Sequence, residues 1–213
     1  MNISTLLFPL GLFPSIFILY LIVRNYEGKF KEKNIFILFI SGFIFGIFLY
    51  LLERFTIFEE FRLNLLIYSF LFSLVEQLSK FVVINLKRFY DKAITIYGAA
   101  FGLGFSSIFA TFFVIEFVIG IDSIFFIILV ISVIIYNCDT GIIIALGIRR
   151  KEKLKYFIIS FLIGVLIWVI IIVFPNYSFV SMLSFALSFS IFALLYKKYL
   201  PFEMLTRKEI LSK

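Results

Sequence analysis

Seven long apolar runs constrain the fold of this chain more than any other feature. They cover residues 4–23, 35–52, 63–86, 93–119, 123–148, 156–174 and 178–196. Each is close to the roughly 20 residues that an α-helix needs to cross a bilayer. Since backbone polar groups must be hydrogen-bonded within lipid, each run is expected to be a helix. Composition agrees, because 63% of the chain is hydrophobic, whereas soluble domains are about 45–50% apolar. The sequence therefore predicts an all-α integral membrane protein, a bundle of seven transmembrane helices.

The basic residues between the runs predict an orientation. Seventeen of the twenty Lys and Arg residues lie after the first, third, fifth and seventh runs. The opposite side carries only Arg54 and Arg62, and Lys80 lies inside the third run. Because cytoplasmic loops are enriched in Lys and Arg, we expect an external N-terminus, a cytoplasmic C-terminus and a location in the cell (plasma) membrane. Basic residues in short loops between apolar runs indicate contact with the lipid bilayer, so no nucleic-acid partner is expected.

The loops are too short for a soluble domain. We expect one transmembrane domain over residues 1–200 and a short basic cytoplasmic tail over residues 201–213. The start of the chain lacks a basic segment and a cleavage site before its first apolar run, so it is expected to continue into the first helix. The chain has no His and a single Cys, Cys138, which excludes an internal disulfide and removes the commonest metal ligand. No metal and no cofactor are expected.

Three polar residues, Glu76, Gln77 and Lys80, interrupt the third run. An ionisable group at this depth costs about 2.5–3.5 kcal/mol on insertion scales and therefore indicates function. Glu76 precedes Lys80 by four residues, the favourable order for an ion pair on a helix. The alternative is a neutralised pair that only fixes one helix within the bundle.

A second acid is expected at the same depth. Glu76 lies eleven residues before Lys87, and Asp139 lies ten residues before Arg149. At 1.5 Å per residue, both acids are roughly 15–16 Å from the basic edge. Besides Lys80, the residues expected to line one polar cavity at this level are Glu76, Gln77, Gly102, Gly104, Asn137 and Asp139. Such a set is compatible with acid–base chemistry, a weak metal site, a proton or ion path, or a buried network that fixes helix register.

Several motifs follow one another in a familiar order. They are Pro9 and Pro14, the stretch 24–27 (RNYE), the stretch 43–46 (FIFG), the stretch 76–80 (EQLSK), the stretch 97–105 (YGAAFGLGF) and, more loosely, Thr140-Gly141 leading to Arg149-Arg150. Over roughly residues 5–155 the chain resembles the PrsW family of intramembrane proteases, within the broader CAAX-protease-like group. The resemblance implies Glu76 as the candidate catalytic base, accompanied by Lys80. If the chain is an active, divergent peptidase, Asn137 is the candidate oxyanion donor.

The departures from that family fall on the chemistry. The second Glu of its signature is replaced by Gln77, the acid expected in the fourth run falls at Phe109, and its late His falls near Tyr136 or Asn137. The expected function is therefore that of a non-catalytic relative, a pseudoprotease that binds lipid or a transmembrane helix of a client protein. One alternative is an active, divergent peptidase that uses Glu76. The other is a proton- or ion-coupled transporter or channel, although the internal repeats typical of transporters are not evident.

Overall fold

The computed structural model describes residues 3–57, 62–117, 123–173 and 178–204, and within these ranges the chain is helical without a β-strand. The long helices are α1 (Ile3–Val23), α2 (Glu32–Ile57), α3 (Arg62–Ile84), α4 (Ile94–Phe117), α5 (Ser123–Arg149), α6 (Lys153–Val173) and α7 (Ser178–Leu194). All seven are long and apolar enough to cross a membrane. The predicted all-α architecture is confirmed, with seven helices that are long and apolar enough to cross a membrane. Their insertion into a membrane and their orientation stay predictions.

Helices α4 and α5 form the centre of the bundle. In their most apolar segments, 94% of α4 and 83% of α5 is buried, against 22–44% for the other five helices. Helix α4 packs against α5, α2 and α1, while α5 also contacts α6 and α7. Helix α3 packs mainly on α6 at the periphery. A polar side chain on the inner face of α3 is therefore directed towards α5 and α6.

The close contact between α4 and α5 depends on two glycines. A Cβ atom added to Gly98 would collide with the carbonyl of Gly141, and one added to Gly141 would collide with the carbonyl of Gly98. Small residues of this kind let helix backbones approach closely and gain van der Waals contact. Gly42 and Gly46 on α2 have the same role, because Cβ atoms added there would collide with the carbonyls of Phe101 and Phe105 on α4.

The loops that carry most of the basic residues meet at one end of the bundle, the basic end. Three hydrogen bonds connect them, from Arg149 to the carbonyl of Lys92, from Lys153 to Asn85 and from Asn25 to Tyr196. After a π-helical turn at Leu195–Tyr199, the short helix α8 (Leu200–Met204) packs on the same end. The boundary proposed at residue 200 therefore falls within continuous helical structure, and residues 205–213 lie outside the described ranges.

Helix α2 extends beyond the apolar run that predicted it. The run covers residues 35–52, whereas the helix is Glu32–Ile57. Hydropathy identifies the apolar part of a helix. The backbone hydrogen bonds of the helix can continue beyond that part. As a result Glu53, which the sequence placed just after the run, lies on the helix and is 1% exposed.

Candidate functional site

The polar residues of α3 lie on its inward face. Glu76, Gln77 and Lys80 are completely buried, whereas Leu78, on the opposite face, is 43% exposed. Positions i, i+1 and i+4 of a helix lie within one broad stripe, so a single face can bury all three polar groups. This stripe faces α5 and α6, where each of the three residues finds a hydrogen-bond partner.

Glu76 accepts two hydrogen bonds on one oxygen. The hydroxyl of Tyr136 on α5 donates to Oε2 at 2.7 Å, and the indole Nε1 of Trp168 on α6 donates to the same atom at 3.0 Å. The other oxygen, Oε1, has no hydrogen-bond partner among the described residues. Glu76 therefore holds three helices together, since its carboxylate on α3 is bound by donors from α5 and α6.

Lys80 is bound by neutral groups. Its Nζ donates to Oγ1 of Thr140 at 2.7 Å and to Oε1 of Gln77 at 3.4 Å, and it lies 5.1 Å from the ring centre of Tyr136. Gln77 in turn donates its amide to the Tyr136 hydroxyl at 2.8 Å. The side chains of Lys80 and Glu76 are both described, and they form no salt bridge with each other. The ion pair expected from their spacing is therefore absent. Their charges still interact through space.

An aromatic box surrounds the indole that binds Glu76. Trp168 is its centre, and its ring contacts four aromatic rings with centroid distances of 4.7–6.5 Å. The four are Phe72, Phe109, Phe113 and Tyr136. Edge-to-face ring contacts at such distances stabilise buried clusters. The box therefore holds the indole of Trp168, one of the two donors to Glu76, in a tightly packed apolar environment.

A glycine on α6 gives the site its close packing. A Cβ atom added to Gly164 would lie 2.7 Å from the hydroxyl oxygen of Tyr136 and closer still to Oγ of Ser73. Ser73 donates across the same interface to the carbonyl of Phe161 at 2.8 Å. The missing side chain therefore leaves the space in which the Tyr136 hydroxyl reaches Glu76.

The two polar residues predicted on α5 have different surroundings. Asn137 is buried, and its amide donates to the carbonyl of Val133 on its own helix at 2.9 Å. Asp139 is also fully buried, and neither of its oxygens has a hydrogen-bond partner among the described residues. Lys80 lies near enough to both predicted acids for electrostatic interaction. A cavity shared by Glu76, Gln77, Asn137 and Asp139 stays a prediction.

The two glycines expected at the cavity lie at helix contacts. A Cβ atom added to Gly102 would meet the backbone of Asn137, and one added to Gly104 would meet the backbone of Phe39 on α2. They therefore set the distances of α4 from α5 and α2.

Sequence reasoning missed several members of this network, namely Glu53, Tyr136 as a hydrogen-bond donor, Thr140 as the partner of Lys80, and Trp168. Glu53 is close enough to Glu76 and Tyr136 for electrostatic interaction. Trp168 could have been noticed, because it is the only Trp in the chain and a buried indole N–H usually binds an acceptor. The sequence gives no indication that Glu53 is buried, because it follows the end of an apolar run and precedes the charged Arg54.

A zinc ion, which the resemblance to a metalloprotease family raises, needs several donor atoms directed at one point. Oε2 of Glu76 already accepts from Tyr136 and Trp168, and the positions expected to supply further acids hold Gln77 and Phe109. Within the described ranges, no three Cys, Asp or Glu residues come together in a metal-binding arrangement. These residues do not fit a zinc ion.

No family model, curated protein or solved structure matches the chain.

Proposed function

We propose that this protein is a non-catalytic member of the PrsW-like group, a pseudoprotease of the plasma membrane that binds an apolar ligand, lipid or a client helix, within the bilayer. The observation that supports this most is the state of Glu76. Its Oε2 accepts from both Tyr136 and Trp168, and the side chain is completely buried. The pair of donors holds the carboxylate in one position and makes it part of the bundle's framework.

Hydrolysis would need a different environment around this acid. A general base must lie within hydrogen-bond distance of the water it activates, and further groups must orient that water and stabilise the developing oxyanion. Around Glu76 the nearest groups are the indole of Trp168 and the phenol of Tyr136, while Asn137 donates to its own helix. This arrangement supports a structural role for Glu76 over the alternative of an active, divergent peptidase.

A cleavage assay tests the proposal. The wild type and Glu76→Gln would be incubated in liposomes with a transmembrane peptide that carries a fluorescent reporter. We expect no cleavage by either protein, because Oε2 of Glu76 already accepts from Tyr136 and Trp168 and the amide of Asn137 donates to its own helix. Glu152→Gln is the matched control, since Glu152 is an exposed acid at the basic end. Cleavage by the wild type and the control that disappears in a folded Glu76→Gln variant would establish the peptidase instead.

Asp139 favours a second candidate, the proton- or ion-coupled transporter. A buried carboxylate without a hydrogen-bond donor is costly, and such residues mark proton and ion pathways in membrane proteins. Asp139 has this environment among the described residues, with the charge of Lys80 in reach. Liposomes with an internal pH dye and an imposed potential would reveal flux that Asp139→Asn abolishes and Glu152→Gln preserves. Flux no greater than that of empty liposomes would exclude this candidate.

A further inference from the structure

Helices α1 and α2 leave a groove between them that faces the surrounding bilayer. Both pack against α4 and scarcely touch each other, although the loop 24–31 joins them at the basic end. The space between them, the α1–α2 groove, measures about 800 Å³, within the range of roughly 300–1,000 Å³ that is typical of ligand sites. Phe36 on its wall is 68% exposed, so the groove is open to a ligand that arrives through the lipid.

The walls of the groove are apolar, and its charges are confined to one end. On α1 the lining includes Ile16, Leu19 and Val23, and on α2 it includes Phe39 and Ile40. The charged lining residues are found only in the loop and at the first residue of α2. They are Arg24, Glu27 and Glu32. A ligand that matches this distribution is hydrocarbon along most of its length and polar at one end.

The loop 24–31 closes the groove at the basic end, and its charge indicates the sign of the polar group of the ligand. The lining itself carries one basic and two acidic side chains, and the surrounding chain adds Lys29, Lys31 and Lys33, so residues 24–33 have a net charge of +2. The guanidinium of Arg24 is exposed and, within the described ranges, is engaged in no ion pair. Arg is well suited to phosphate, because its planar fork binds two oxygens at once. These properties favour an anionic headgroup.

The length of the groove distinguishes a lipid from a client helix. The stretch from Ile16 to Val23 rises about 10 Å at 1.5 Å per residue. A helix that crosses the membrane must span about 30 Å of hydrocarbon, whereas an acyl chain occupies one leaflet, about half of that thickness. The loop also closes the groove at the basic end, where a crossing helix would have to pass.

We propose that the α1–α2 groove binds the acyl chain of an anionic phospholipid whose phosphate pairs with Arg24. The inference rests on the proposed function and deepens it, since it names lipid as the apolar ligand. It involves neither Glu76 nor the aromatic box. A failure of this inference is therefore separable from a failure of the proposed function, which the cleavage assay measures.

Tryptophan quenching in vesicles tests the inference directly. The native Trp168 is fully buried and supplies a constant background, while Phe36→Trp adds a reporter in the groove. Vesicles of phosphatidylcholine would contain increasing fractions of either brominated phosphatidylglycerol or brominated phosphatidylcholine. Because one basic residue near a membrane surface contributes about 1 kcal/mol to anionic lipid binding, we expect about a fivefold preference for phosphatidylglycerol.

Two loop variants and one matched reporter complete the experiment. In the Phe36→Trp background, Arg24→Gln should abolish most of the preference, and Glu27→Gln should increase it. Phe202→Trp is the control reporter, because Phe202 is also 68% exposed and lies at the basic end outside the groove. It should show no comparable preference.

Three results would overturn the inference. The first is equal quenching by the two lipids at the Phe36→Trp reporter, and the second is a preference that Arg24→Gln leaves unchanged. The third is a reporter shielded from both lipids, which would mean that a protein helix covers the groove. An Arg24-dependent preference in a protein that also cleaves peptides would overturn the proposed function and leave the lipid site in place.

Discussion

The hydroxyl of Tyr136 donates a 2.7 Å hydrogen bond to Glu76 across 60 positions of sequence. The same hydroxyl accepts the amide of Gln77, so one phenol connects two neighbouring residues of α3 to α5. Both bonds are buried, where an unsatisfied polar group costs more than it does near water. Tyr136 therefore acts as the link that lets two polar residues of α3 remain inside an apolar bundle.

Tyr136→Phe should destabilise the protein by about 1–3 kcal/mol, because it leaves the Gln77 amide without an acceptor and Glu76 with only one donor. The ring remains, so contacts within the aromatic box are kept. Thermal unfolding in detergent would measure the change. Tyr20→Phe is the control, since Tyr20 is 57% exposed, and it should change little. An equal effect of the two substitutions would contradict the role of the Tyr136 hydroxyl.

The number and positions of the helices could be predicted from sequence because lipid imposes a length and a composition on every span. The predicted run 123–148 and the helix Ser123–Arg149 differ by one residue. The ends of α2 could not be predicted in this way. Helix–helix packing buries Glu53 beyond the apolar run, and hydropathy carries no information about a neighbouring helix.

The candidate site was predictable only in part. Polar residues that interrupt an apolar run drew attention to Glu76, Gln77 and Lys80, and the structure buries all three on one face of α3. The equal depth of Glu76 and Asp139, obtained by counting residues from the basic edge, stays a prediction. The partners depend on the rotation of each helix about its axis, which brings Tyr136 and Thr140 towards α3. A local charge pattern favours the pairing of Lys80 with Glu76, but in the structure each group is hydrogen-bonded to neutral residues on other helices.

Gly141→Ala should strongly destabilise the bundle. The new methyl group would collide with the carbonyl of Gly98, a backbone atom that cannot turn aside as the end of a flexible side chain can. Overpacking of this kind typically costs about 1–3 kcal/mol. Unfolding in detergent would be compared with that of Ser190→Ala, a small change at an exposed site on α7. Unchanged stability of Gly141→Ala would contradict the close α4–α5 contact.

Glu203 should fix α8 to the end of α5. Its carboxylate lies 2.8 Å from Nε of Arg149 and 2.6 Å from Nη2 of Arg150, and its side chain is only 9% exposed. The hydrogen bonds that Arg150 donates to the Glu203 carboxylate raise the pKa of Arg150 above its ordinary value. Glu203→Gln removes both charge-assisted contacts and should cost about 1–2 kcal/mol, since the arginines are partly hydrated.

Limited proteolysis would measure the release of α8 in the Glu203→Gln variant. Faster cleavage within residues 195–204 is expected, with the helices of the bundle still protected. Glu152→Gln is the matched control, because Glu152 pairs only with its exposed neighbour Lys155 among the described residues. Identical cleavage of Glu203→Gln and the wild type would show that α8 is held by its buried Leu200 and Met204 alone.

The basic end should face the cytoplasm. Membrane orientation follows the distribution of Lys and Arg in short loops, and here seventeen such residues oppose two. A cysteine introduced by Glu152→Cys should therefore be protected from a membrane-impermeant thiol reagent in intact cells and react after permeabilisation.

Ser123→Cys, at the exposed start of α5, is the opposite-end control and should react in intact cells. The native Cys138 is fully buried and should contribute little background. Labelling of Glu152→Cys from outside, with protection of Ser123→Cys, would reverse the orientation and place the loop 24–31, with its Arg24, in the outer leaflet.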